Sequence, residues 1–67
     1  MKETFIGDRI AELLVKKQRT AAELSEYIGQ PTDYIDQIVS HKLMPSMNMF
    51  LVICDALEVT PAEFFTV

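Results

Sequence analysis

Few residues in this sequence could do covalent or metal chemistry, and their number and spacing argue against both. The thiol of Cys54 and the imidazole of His41 are each the only one of their kind. A structural zinc site takes about four such ligands, and a lone cysteine cannot close an internal disulfide. No metal, cofactor or covalent staple is therefore expected. Cys54 falls in the apolar row of a helical pattern, where a thiol serves as a small buried hydrophobe. His41 reads as a loop residue with no carboxylate orienter near it in the pattern. No Ser/His/Asp set, glycine-rich phosphate loop or carboxylate pair in a cleft can be assembled, so neither an enzyme nor a small-molecule substrate is expected. What remains is the hydrogen-bonding chemistry of polar side chains spread along the chain, Thr32, Asp33, Asp36, Gln37 and Ser40 among them.

The elements that must position those residues follow from hydrophobic spacing and local punctuation. Ile6, Ile10, Leu13, Leu14 and Lys17 recur at steps of three and four, which predicts a helix over 3–17. Thr20 followed by Glu23 forms a capping-box signal, opening a helix over 20–28 that turns Leu24 and Ile28 inward. Gly29 stands where a left-handed helix end needs a residue without Cβ. Pro31 suits the first turn of a helix over 31–39, with Ile35, Ile38 and Val39 facing in. Residues 40–45 are irregular, and Ser46 caps a helix over 46–57 whose inward row is Met47, Phe50, Ile53, Cys54 and Leu57. Thr60, Pro61 and Glu63 repeat the start signal for a short helix over 61–65. No segment alternates apolar and polar residues as a strand would. The expectation is an all-α fold of five helices in a single domain spanning 1–67.

Composition narrows the class further. At 49% hydrophobic, the chain has ample material for a core, unlike a disordered segment. Lys2, Glu3, Asp8, Arg9 and Glu12 interrupt the first twenty residues, leaving no stretch for a signal peptide or a membrane helix. A cytoplasmic location with no membrane partner is expected. The net charge of −4 has the wrong sign for phosphate, so any attraction to a polyanion must come from local charge.

Two short helices joined by a tight glycine turn, with a longer helix before and two after, form the arrangement that can present its second helix to a major groove. The motifs within it are Thr20-x-x-Glu23-Leu24, Ile28-Gly29, Tyr34-Ile35-x-x-Ile38, Pro45-Ser46-Met47 and the closing run from Ile53 to Phe65. In these pieces, from Ile6 to Phe65, the sequence resembles the Cro/C1-type (XRE family) helix-turn-helix domains, with the lambda-repressor-like fold. The resemblance implies a transcriptional regulator that binds double-stranded DNA with the helix over 31–39 in the major groove. It makes Thr32, Asp33, Asp36, Gln37 and Ser40 the candidate base readers: Gln37 for adenine, Thr32 for a thymine methyl or a phosphate, either Asp for cytosine N4. Phosphates would be held by helix N-termini and a few cations, which points to Thr20, Ala21, Ser46 and Lys42, flanked by Lys16, Lys17 and Arg19.

The sequence departs from the family pattern in three places. Ala21 stands where a DNA-contacting Gln is common, and the loop 40–44 lacks the usual glycine and carries Lys42 in place of several basic residues. Between Thr20 and Lys42, Glu23, Glu26, Asp33 and Asp36 face a single cation, Lys42. Leu14 and Val39 replace together a buried Arg and Glu pair of many relatives, a joint change that avoids stranding one charge and predicts that the first and third helices touch there. The acidic helix keeps open an alternative, a protein-interaction module such as an antirepressor or adaptor on the same fold. Met49, Val52 and Val15 fall off the main apolar stripes. With Leu57, Val59, Phe65 and Val67, the first two suit a self-complementary patch, so a homodimer is expected.

Overall fold

The computed structural model describes residues 4–66, and among them every regular element is a helix. The order is α1 (Phe5–Lys16), α2 (Ala21–Tyr27), α3 (Tyr34–Val39), α4 (Met47–Ala56) and α5 (Pro61–Phe64). The expected start at Glu3 lies outside the described residues. Helix α1 rests on α3, α2 packs on both α3 and α4, and α4 meets α5. The core they enclose contains Ile10, Leu13, Leu24, Ile35, Ile38, Ile53, Leu57 and Phe64, each at most 2% exposed. Leu14 is buried and Val39 packs at the core's margin, on the two helices their joint replacement had linked.

Three helices start as the punctuation requires. Thr20 and Glu23 form a reciprocal capping box at α2, and Thr60 and Glu63 do the same at α5, where Pro61 takes the first position. The Ser46 hydroxyl accepts the amide of Met49 at the start of α4. Helix ends are equally regular. At α2, the Gly29 amide bonds the carbonyl of Glu26 and the Gln30 amide that of Ser25, the two reverse bonds of a Schellman turn, with Gly29 at φ 77°. The same pair of bonds closes α1, α3 and α4, but there the left-handed residue is Gln18, His41 or Glu58, each carrying a Cβ. No glycine marks those turns, so the sequence conceals them.

The start of α3 corrects the expectation of a helix from Pro31. A helix beginning there would bond the Ile35 amide to the Pro31 carbonyl. Instead that amide goes to the side chain of Ser25, 3.0 Å away, while Tyr34 bonds back to Pro31 as a turn. Ser25 is fully buried in α2, and its hydroxyl also donates to the Ala21 carbonyl at 2.8 Å. One hydroxyl thus ties α2 to the first turn of α3 and shortens α3 by a turn.

Two further expectations fail on burial. Met47 is 69% exposed, because the apolar row of α4 overhangs the core at its first residue and is buried only from Phe50 onward. Leu57 is 1% exposed and belongs to the core, which removes it from any surface patch. Phe65 is 42% exposed even though its ring stacks on Phe5 at 5.6 Å between centroids, and Val67 lies outside the described residues. Of the rest of that patch Val52 is exposed, and Met49 and Val59 are half-buried; Val15, as expected, is exposed.

Arg9, a charge that breaks an apolar run in the sequence, is only 9% exposed. Its guanidinium donates to the carbonyls of Phe64 (2.7 Å), Glu63 (3.0 Å) and Thr66 (3.0 Å) and pairs with Glu12. The Glu63 carbonyl also accepts the Thr66 amide, whereas those of Phe64 and Thr66 have no backbone donor among the described residues, so Arg9 caps α5 from α1.

Candidate nucleic-acid interface

Helix α3 turns Ile35 and Ile38 into the core, and the residues between them are left outside. Thr32, Asp33, Asp36 and Ser40 are exposed, while Gln37 is half-buried. Three of these side chains are already engaged. The Gln37 amide donates through Nε2 to Asp33 Oδ2 at 2.8 Å, one helical turn back. The Ser40 hydroxyl donates to the carbonyls of Asp36 and Gln37 at 2.8 and 3.3 Å. Thr32, Asp36 and one oxygen of Asp33 remain available to an outside partner.

The helix N-termini are more open. At α2 the Thr20 hydroxyl accepts the Glu23 amide at 3.1 Å, and the Glu23 carboxylate accepts the Thr20 amide at 2.9 Å. The amides of Ala21 and Ala22 then have no acceptor among the described residues. The hydroxyl of Ser46 is likewise spent on Met49, leaving the amides of Met47 and Asn48. Lys42 is exposed just beyond α3, its amide closing the Schellman turn on Gln37.

The arrangement is a helix-turn-helix pair with an open polar outer face, and the sequence around it agrees. A family model described as Cro/C1-type HTH DNA-binding domain matches residues 9–67. The chain belongs to this family. Comparisons with curated proteins and with solved structures gave no match. The match takes in α2 to α5 and all of α1 from Arg9 onward, so the helix-turn-helix lies wholly within the Cro/C1-type domain.

The electrostatics of this Cro/C1-type domain are acidic around α2 and α3. Hydrogen bonds from Thr20, backbone first and then side chain, hold the Glu23 carboxyl below its ordinary range, with Arg19 adding to the effect. Glu23 is thus a fixed charge at the α2 N-terminus. Arg19 itself stands 5.8 Å over the ring of Tyr27, a cation held at the entry to α2.

His41 corrects the expectation that it has no orienting carboxylate. Its Nε2 lies 2.9 Å from Asp8 Oδ1, linking the end of α3 to α1 across 33 residues. Gly7 makes that approach possible: a Cβ there would stand 2.4 Å from the carbonyl oxygen of Ile38 and 2.9 Å from the His41 ring.

Ser25, Gly7 and Asp8 are the residues that position α3 and that sequence reasoning missed. Ser25 did carry a signal, a hydroxyl beside Leu24 on the inward face of α2. Gly7 in the first turn of an otherwise good helix was a second such signal. Asp8 had none.

Proposed function

We propose that this chain is a sequence-specific, DNA-binding transcriptional regulator that lays α3 in the major groove. The observation that carries the reading is the family membership over residues 9–67, joined to an α3 whose outer face is polar and open. Thr32, Asp33, Asp36, Gln37 and Ser40 would face base edges. The α2 and α4 N-termini, at Thr20, Ala21 and Ser46, with Lys42 between the helices, would hold phosphates. It acts by binding rather than catalysis, as one domain in the cytoplasm. Two half-sites offset a weakly charged protomer, which supports a homodimer.

The acidity of α2 and α3 favours a second reading, a protein-interaction module on the same fold. An anisotropy titration with mixed-sequence duplex at low salt separates the two. The DNA reading expects saturable binding with a shallow salt dependence, about two to four released counterions per protomer. No binding at low salt would favour the protein partner.

A further inference from the structure

We infer that Asp33 and Gln37 form one reading unit, in which Asp33 sets the orientation of the Gln37 amide and thereby selects adenine. The inference rests on the proposed placement of α3 in the major groove. It begins from the bond between Gln37 Nε2 and Asp33 Oδ2 at 2.8 Å. An ionised carboxylate can only accept, whereas a carboxamide has two N–H donors on one end and an acceptor oxygen on the other. Only the nitrogen end of Gln37 can therefore face Asp33. Turning the amide over would put Oε1 against a carboxylate oxygen, two acceptors in contact.

The unit leaves one N–H and the oxygen Oε1 of Gln37 without a side-chain partner among the described residues. That pair matches adenine in the major groove, with N7 accepting the N–H and the N6 amino group donating to Oε1. Guanine presents two acceptors, N7 and O6, and so repels the fixed oxygen. A free glutamine can rotate its amide to tolerate other bases. With Asp33 in place that freedom is lost, and with it the ordering cost at the moment of binding. The geometry also reassigns Asp33 from a reader of cytosine to a positioning residue acting through Gln37.

The test combines selection from a randomised duplex library with side-chain amide spectra of the 15N-labelled protein, for the native chain and for D33A, Q37A and D33A/Q37A. The native protein is expected to prefer adenine at one position of each half-site by about 5- to 150-fold, the range of one bidentate contact. In D33A that preference should fall severalfold at the same position while overall affinity holds or rises. Q37A should abolish it, and the double variant should match Q37A. The Gln37 amide proton shifts should move in D33A with no DNA present. Adenine preference that survives in D33A, or amide shifts that ignore the substitution, would overturn the unit and leave the DNA reading standing. A native protein that enriches no sequence, although its amide responds to D33A, would overturn the DNA reading and the unit's role with it.

Discussion

Replacing Ser25 by Ala removes a single oxygen on which the geometry of the helix pair depends. The hydroxyl is fully buried, donating to Ala21 at 2.8 Å and accepting from the Ile35 amide at 3.0 Å. The Ala21 carbonyl loses little, since it sits inside α2 and keeps its helical environment. The Ile35 amide is left buried and unpaired, which costs about 1–3 kcal/mol. Alanine's better helix propensity offsets about 0.5 kcal/mol of that. The net loss is about 0.5–2.5 kcal/mol, or roughly 2–20 °C in melting temperature for a domain of this size. One rearrangement could reduce it: the Ile35 amide could turn to the Pro31 carbonyl and extend α3 by a turn. Thermal melts of S25A, with amide exchange at Ile35, distinguish the outcomes. A lowered melting point with faster exchange at Ile35 is expected. An S25A variant as stable as the native chain, with exchange at Ile35 unchanged, would refute the claim that this hydroxyl sets the start of α3.

Three other perturbations follow from the same structure. G7A gains roughly 1 kcal/mol of helix propensity, but its Cβ would stand 2.4 Å from the Ile38 backbone oxygen. Overpacking costs about 1–3 kcal/mol, so a net loss of up to about 2 kcal/mol is expected in denaturant melts, and a stabilised G7A would show that α1 and α3 are not so close. Glu58 holds φ 59° at the end of α4. E58G should stabilise the domain by up to about 1 kcal/mol, because relief of left-handed strain exceeds the added chain entropy; a lower melting point would count against strain there. The carboxyls of Glu23 and Glu63 lie below their ordinary 4.5, mainly through hydrogen bonds from Thr20 and Thr60. A depressed folded value means that the unfolded chain takes up the proton first. The stability these groups give is thus present above about pH 5 and is lost as pH falls through the folded values. Melting temperatures of the native chain should fall in that acid range and those of E23Q/E63Q should fall less; parallel curves would exclude the two caps as the cause.

How much was legible depended on the range of each interaction along the chain. The capping boxes at Thr20 and Thr60, the cap at Ser46 and the turn at Gly29 were readable, because each is decided within about four residues. The α3 start was not, since the competitor for the Ile35 amide sits ten residues earlier on another helix. Arg9 looked like an exposed charge because its partners lie some 55 residues away at the end of α5. The pair of His41 and Asp8 was hidden for the same reason. Leu57 and Met47 share one helical face, yet one is buried and one exposed, since periodicity defines a face and not where the core beneath it ends. At the candidate interface, exposure of Thr32, Asp33, Asp36 and Ser40 followed from the pattern. The coupling of Gln37 to Asp33 depends on side-chain geometry, which the pattern does not contain.

The central claim, that α3 is the reading head of a Cro/C1-type domain, is tested most directly by backbone amide spectra of the native protein titrated with duplex DNA at low salt. The largest shifts are expected at Ala21 and Ala22, from Thr32 to Gln37, at Lys42 and at Met47, fading as salt is raised. Shifts confined to α1 and α5, or none at any duplex concentration, would contradict it.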